Sequence, residues 1–148
     1  TALPAMPLTP RFPGEGYPTC REEYQAQVDP IQRVVKINEC LAALTNYFES
    51  TLNGFARSMV QHQQAISGLY TDRVAGNELY SPESQQKFYR DMMAEHAASN
   101  PSGAHFNDYR GAKERYETDR AYLQDRYCAN TGTCGGYPVP AGVAPPAR

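Results

Sequence analysis

From Leu41 onward one row of positions recurs in steps of three and four: Leu41, Leu44, Phe48, Leu52, Phe55, Met59, His62, Ile66 and Leu69. A strand would bury alternate residues, so this spacing commits the stretch to helix with a single buried seam. The steps average about 3.5 residues, the period of a coiled-coil seam. Continued back to Pro30 and on to about residue 75, the helix would be roughly 70 Å long at about 1.5 Å per residue. Asn53-Gly54 could interrupt it, but the seam stays in phase across Gly54, which favours one helix with room for a bend.

The signals flanking this seam set the remaining elements. Thr19 and Glu22 have the spacing of a capping box, and Asp29-Pro30 can cap and open a new helix. A short helix over about 20–28 is therefore expected before the long one. A turn falls in "AGNEL", after which Ser81-Pro82-Glu83 reads as cap, first turn and acid at the positive helix end. That helix carries Phe88, Tyr89, Met92, Met93, His96 and Ala97 before "SNPSG" interrupts it. A last helix follows from about Asn107, with Phe106, Tyr109, Tyr116, Leu123 and Tyr127 on one face. The pairs Arg110–Glu114, Lys113–Glu117 and Arg115–Asp119 mark its solvated side.

No alternating stretch argues for a strand. The expected fold is all-α, an elongated antiparallel helical hairpin resembling a coiled coil, with a long helix over about 30–75 and a return arm broken near Pro101. The ends differ in kind. The first 18 residues hold five prolines and two glycines, and the C-terminal "GGYPVPAGVAPPAR" is similar, so both favour extended or polyproline chain. The organisation expected is an N-terminal arm over 1–18, one helical domain over 19–128, and a turn with a second arm over 129–148.

Cysteines bear on compartment. Cys20, Cys40, Cys128 and Cys134 are an even set without a Cys-x-x-Cys pair, which favours disulfides over a zinc or redox motif. Cys20 and Cys40 each lie ten residues from Pro30, so a reversal there would bring them together, and Cys128 and Cys134 enclose the small turn "ANTGT". Cys20–Cys40 with Cys128–Cys134 is the favoured pairing, with Cys40–Cys128 or another cross-arm bond as the alternative. Thr1 in place of Met looks like a processed start. An exported protein, periplasmic or extracellular and bacterial, is expected. The net charge of −2, from 14 basic and 16 acidic residues dispersed along the chain, leaves no basic stripe for nucleic acid, and no apolar run is long enough for a transmembrane segment.

The sharpest chemical motif is Met59-x-x-His62, repeated as Met93-x-x-His96. Thioether and imidazole together suit copper, and a spacing of three puts both on one helix face. Measured from a turn near residue 78, the two pairs fall at nearly equal heights. "MVQHQQAI", residues 59–66, resembles the Met-x-x-His-His core of small periplasmic ferritin-like copper proteins over about eight residues, with Gln63 where the second His would stand. No site residue is carried over from that likeness. The competing reading is packing, in which Met fills gaps on the seam and His62 sets register.

Eleven tyrosines against five phenylalanines and no tryptophan suit half-exposed interfaces. Phe12, Tyr17, Tyr137, Pro138 and Pro140 lie in arms that cannot build a core alone and read as anchors on a partner. No nucleophile or paired carboxylate surrounds His62, His96 or His105, so no enzyme is expected. The leading expectation is a structural or adaptor subunit of a larger assembly, a filament or envelope complex, whose partners are protein chains of its own or another kind. The alternative is a copper-binding helical protein using Met59, His62, Met93 and His96.

Overall fold

The computed structural model describes residues 5–75 and 81–134, and its ordered elements are all helical, with no strand among the described residues. Five α-helices follow in order: α1 (Cys20–Gln25), α2 (Pro30–Tyr47), α3 (Asn53–Ala75), α4 (Pro82–Ala98) and α5 (Asn107–Thr131). A π-helical turn at Phe48–Leu52 joins α2 to α3, and a 3₁₀ turn at Ala104–Phe106 leads into α5.

Local signals set these boundaries. The Asp29 carboxylate accepts from Ile31 N at 3.1 Å and Pro30 occupies the first turn of α2, while Ser81 Oγ accepts from Ser84 N at 3.1 Å ahead of Pro82. Each satisfies an amide the first helical turn would leave orphaned, worth about 1 kcal/mol. Thr19 makes no side-chain cap, so the expected capping box with Glu22 does not form, and α1 is correspondingly short.

The seam is buried as its spacing requires, with Leu41, Leu44, Leu52, Phe55, Met59, His62 and Ile66 all inside. Its one irregularity has a sequence cause. Leu44, Phe48 and Leu52 make two consecutive steps of four, and eight residues at 3.6 per turn overshoot two turns by about 80°. Widening to a π-helical turn at 48–52 absorbs the surplus and keeps Leu52 at 1% exposure. The disturbance thus falls just before Asn53-Gly54, and Gly54 itself sits inside α3.

The contacts divide the chain into two compact units. The first takes residues 1–13 and 53–109, and the second residues 14–52 and 110–148. In the first, Phe55, Met59 and Phe106 form a core against which Phe12 and Tyr109 pack. Further along α3, Tyr70 stacks on Phe88 of α4 with centroids 6.0 Å apart, and the Arg73 guanidinium lies 4.3 Å from the same ring. His62 meets Glu95, so contacts run in opposite order along α3 and α4.

In the second unit Ile37, Leu44, Leu52 and Leu123 are at most 1% exposed, each contributing about 1.5–3 kcal/mol by leaving water. α1 packs on α2, Phe48 stacks on Tyr116 of α5, and Tyr24 meets Tyr122 edge-on. α5 buries Tyr116, Asp119 and Leu123. Gly132, at φ 74, ends it in a left-handed turn few other residues adopt, and the chain curls back so that Cys134 bonds Cys128.

Candidate functional site: a pinned arm and an open helix face

Residues 5–19 carry no regular secondary structure, and within each unit this stretch is fastened by the same device: a hydroxyl donating to a sequestered carboxylate. In the first unit Thr9 Oγ1 donates to Glu95 Oε2, and His62 Nε2 lies 3.1 Å from the same oxygen and 3.4 Å from Thr9 Oγ1. A nitrogen of His105 donates to the Pro10 carbonyl at 2.9 Å. Phe12 then inserts edge-on between Phe55 and Tyr109, with centroids 5.4 and 5.7 Å away. Thr9, Arg11, Glu95, His105 and Asp108 line an open cleft of about 560 Å³ beside the arm.

In the second unit Tyr17 OH donates to Asp119 Oδ2 at 2.6 Å, and Arg21 Nη1 reaches Asp119 Oδ1 at 3.5 Å. Arg115 stands 3.9 Å from Oδ2 while its guanidinium covers the Tyr17 ring at 4.0 Å. Burial, then the hydrogen bond to Asp119, holds the Tyr17 phenol well above its ordinary range, so it remains a donor. Arg115–Asp119, expected as a solvated surface pair, is in fact half of this cluster because Asp119 is only 6% exposed.

Phe12 and Tyr17, expected as anchors on a partner, pack against Phe55 and Tyr109 and against Asp119 of their own chain. Tyr137, Pro138 and Pro140 lie outside the described residues. The four Met/His positions do not share an environment: Met59 and His62 are buried, whereas Met93 is 65% exposed and His96 is exposed. α4 turns Phe88, Met92, Glu95 and Ser99 inward, so the imidazole of His62 finds a carboxylate one position short of His96. Among the described residues no group of three or more His, Cys, Asp and Glu side chains could hold a metal ion. Nor do Thr9, His62 and Glu95 form a nucleophile relay. Hydroxyl and carboxylate both meet Nε2, whereas a relay places them on opposite ring nitrogens.

Of the expected disulfides, Cys128–Cys134 is formed. Cys20 and Cys40 are brought together by the reversal at Asp29-Pro30, but as buried thiols. With Cys128 bonded to Cys134, the alternative Cys40–Cys128 bond is not present.

Glu95 and Thr9 were not singled out by sequence reasoning; Asp119 entered it only as half of a solvated pair, and His105 only as a histidine without a catalytic partner. The signal available for Asp119 was its place between Tyr116 and Leu123 in steps of three and four, the spacing of a buried face. Thr9 and His105 carried no such signal.

The second feature is a helix face left exposed among the described residues. Ile31 is 71% exposed and Val35 43% exposed on α2, Val28 just before the helix is 85% exposed, and Ala42 continues the row. The opposite face of α2 carries Ile37, Cys40, Leu41 and Leu44 inside. No family model, curated protein or solved structure matches the chain. Fold and site therefore define it as an all-α protein with an internally pinned arm and an apolar helix face, and no helix among the described residues is long and apolar enough to cross a membrane.

Proposed function

We propose that this chain is a non-enzymatic structural or adaptor subunit of a larger exported assembly, a filament or envelope complex, and that α2 presents its docking face. The carrying observation is the row Val28, Ile31, Val35, whose exposure leaves β-branched side chains in water on a helix already anchored by its other face. Helix-against-helix docking would cover such a row in steps of three and four. The coiled-coil hairpin expected from the seam is the scaffold in this reading. The disulfide-distance pair Cys128–Cys134 supports a periplasmic or extracellular setting.

Light scattering on the unreduced native protein, with co-purifying chains identified, tests this. The native protein is expected above the 16.5 kDa of one chain, and Ile31→Glu with Val35→Glu is expected to dissociate it with helicity retained. A wild-type monomer without co-purifying chains, or an assembly indifferent to the double substitution, defeats the reading.

A further inference from the structure

α1 has six residues, too few for a helix to support itself in water, so tertiary contacts must hold it. Two of the six are buried, Cys20 at 4% and Tyr24 at 5% exposure. Cys20 faces Cys40 of α2, itself 1% exposed. Cys40 Sγ lies 3.0 Å from the Cys20 carbonyl oxygen and Cys20 Sγ 3.7 Å from that of Cys40, so each thiol lies against the other residue across a separation of 20 positions. Cys128 and Cys134 are already bonded to each other and cannot resolve either thiol.

We propose that Cys20 and Cys40 are a thiol–disulfide exchange site whose co-reactant is a small-molecule or protein disulfide, and that closing their bond latches α1 onto α2. One cysteine thiolate attacks a sulfur of the incoming disulfide, forming a mixed disulfide and releasing one thiol. The second thiolate attacks the protein sulfur of that mixed disulfide, closing Cys20–Cys40 and releasing the second thiol. The two cysteines lose two electrons and two protons, and the co-reactant takes up both.

The packing makes α1 the gate as well as the site. While α1 is seated the two cysteines are only 4% and 1% exposed on the wall of a cleft of about 370 Å³, and burial raises both thiols, Cys40 further through its contact with Cys20. Exchange therefore proceeds when α1 lifts, and the product holds it down. The segment so enclosed carries Val28, Ile31 and Val35. Its preorganisation for docking rests on the function proposed above; the exchange chemistry does not.

The wild-type chain is reduced, desalted and exposed to oxidised glutathione, then alkylated and peptide-mapped without further reduction. A peptide joining Cys20 to Cys40 is expected, and amide exchange over Cys20–Gln25 slows at least about tenfold from reduced to oxidised protein. Exchange over Pro82–Ala98 is the internal reference. Cys20→Ala is expected to abolish the cross-link. Because the redox comparison uses the wild type, it stands even if that variant misfolds. Both cysteines remaining alkylated, glutathione persisting on one of them, a bond to Cys128 or Cys134, or unchanged exchange over Cys20–Gln25 would overturn the proposal. An apolar row that fails in light scattering leaves this mapping unaffected, so the two readings fail separately.

Discussion

The hydroxyl of Tyr17 donates to Asp119 Oδ2 at 2.6 Å across 102 positions of sequence, tying the arm to the buried face of α5. A hydrogen bond to a charged acceptor contributes about 1.5–3 kcal/mol. Tyr17→Phe keeps the ring against Tyr47 and beneath Arg115 but removes the donor. Urea unfolding is expected to show a loss of about 2 kcal/mol, and an unchanged midpoint would show that Arg21 and Arg115 satisfy Asp119 alone.

The same bond gives stability an alkaline limit. The phenol, with an ordinary value of 10.0, is held above it by burial first and then by Asp119. Above about pH 10 the unfolded chain releases this proton while the folded chain keeps it, so stability is fully present below that value and declines as pH rises through it. Tyr47 and the Cys20–Cys40 thiols, also raised, contribute to the same decline. Tyr17→Phe is expected to give a shallower fall in unfolding midpoint between about pH 9 and about pH 11, and identical slopes would count against the assignment.

Phe12 holds the arm in the first unit. Phe12→Ala deletes a half-buried ring from an aromatic cluster and is expected to cost about 2 kcal/mol. Arg11 is exposed beside it, so trypsin cleavage after Arg11 should accelerate several-fold while cleavage after Arg57 in α3 changes little. Equal rates in both proteins would mean that Thr9 and Pro10 hold the arm unaided.

His62 and Glu95 are coupled through a contact of 3.1 Å in which the His62 side chain is 2% exposed and that of Glu95 18%. A double-mutant cycle with His62→Ala and Glu95→Ala should return a coupling of about 1–2 kcal/mol. Strict additivity would reduce the contact to coincidence and leave His62 as packing alone.

Gly68 lies inside α3 with nothing within 4 Å of where a Cβ would stand. Gly68→Ala is expected to stabilise the chain by about 0.5–1 kcal/mol, since alanine gives up less backbone freedom in a helix. Destabilisation in thermal melts would reveal that a neighbour uses the gap.

What was legible in the sequence was what the chain fixes locally. The seam, the caps at Asp29 and Ser81, the stop before Pro101 and the restart at Asn107 each depend on side chains within a turn or two of one another, so spacing and residue type determine them. Even the π-helical turn has its cause in two consecutive steps of four. Which face a helix turns inward is another matter. In α4 the apolar residues come as adjacent doublets, Phe88-Tyr89 and Met92-Met93, so two faces about 100° apart carry nearly the same pattern. Packing against Tyr70 and His62 selects Phe88, Met92 and Glu95, and with that choice Met93 and His96 face outward. The arm aromatics, the buried carboxylates and the meeting of Cys20 with Cys40 belong with that choice. Each depends on residues 20 to 102 positions apart, and only burial in a shared interior decides which of them meet.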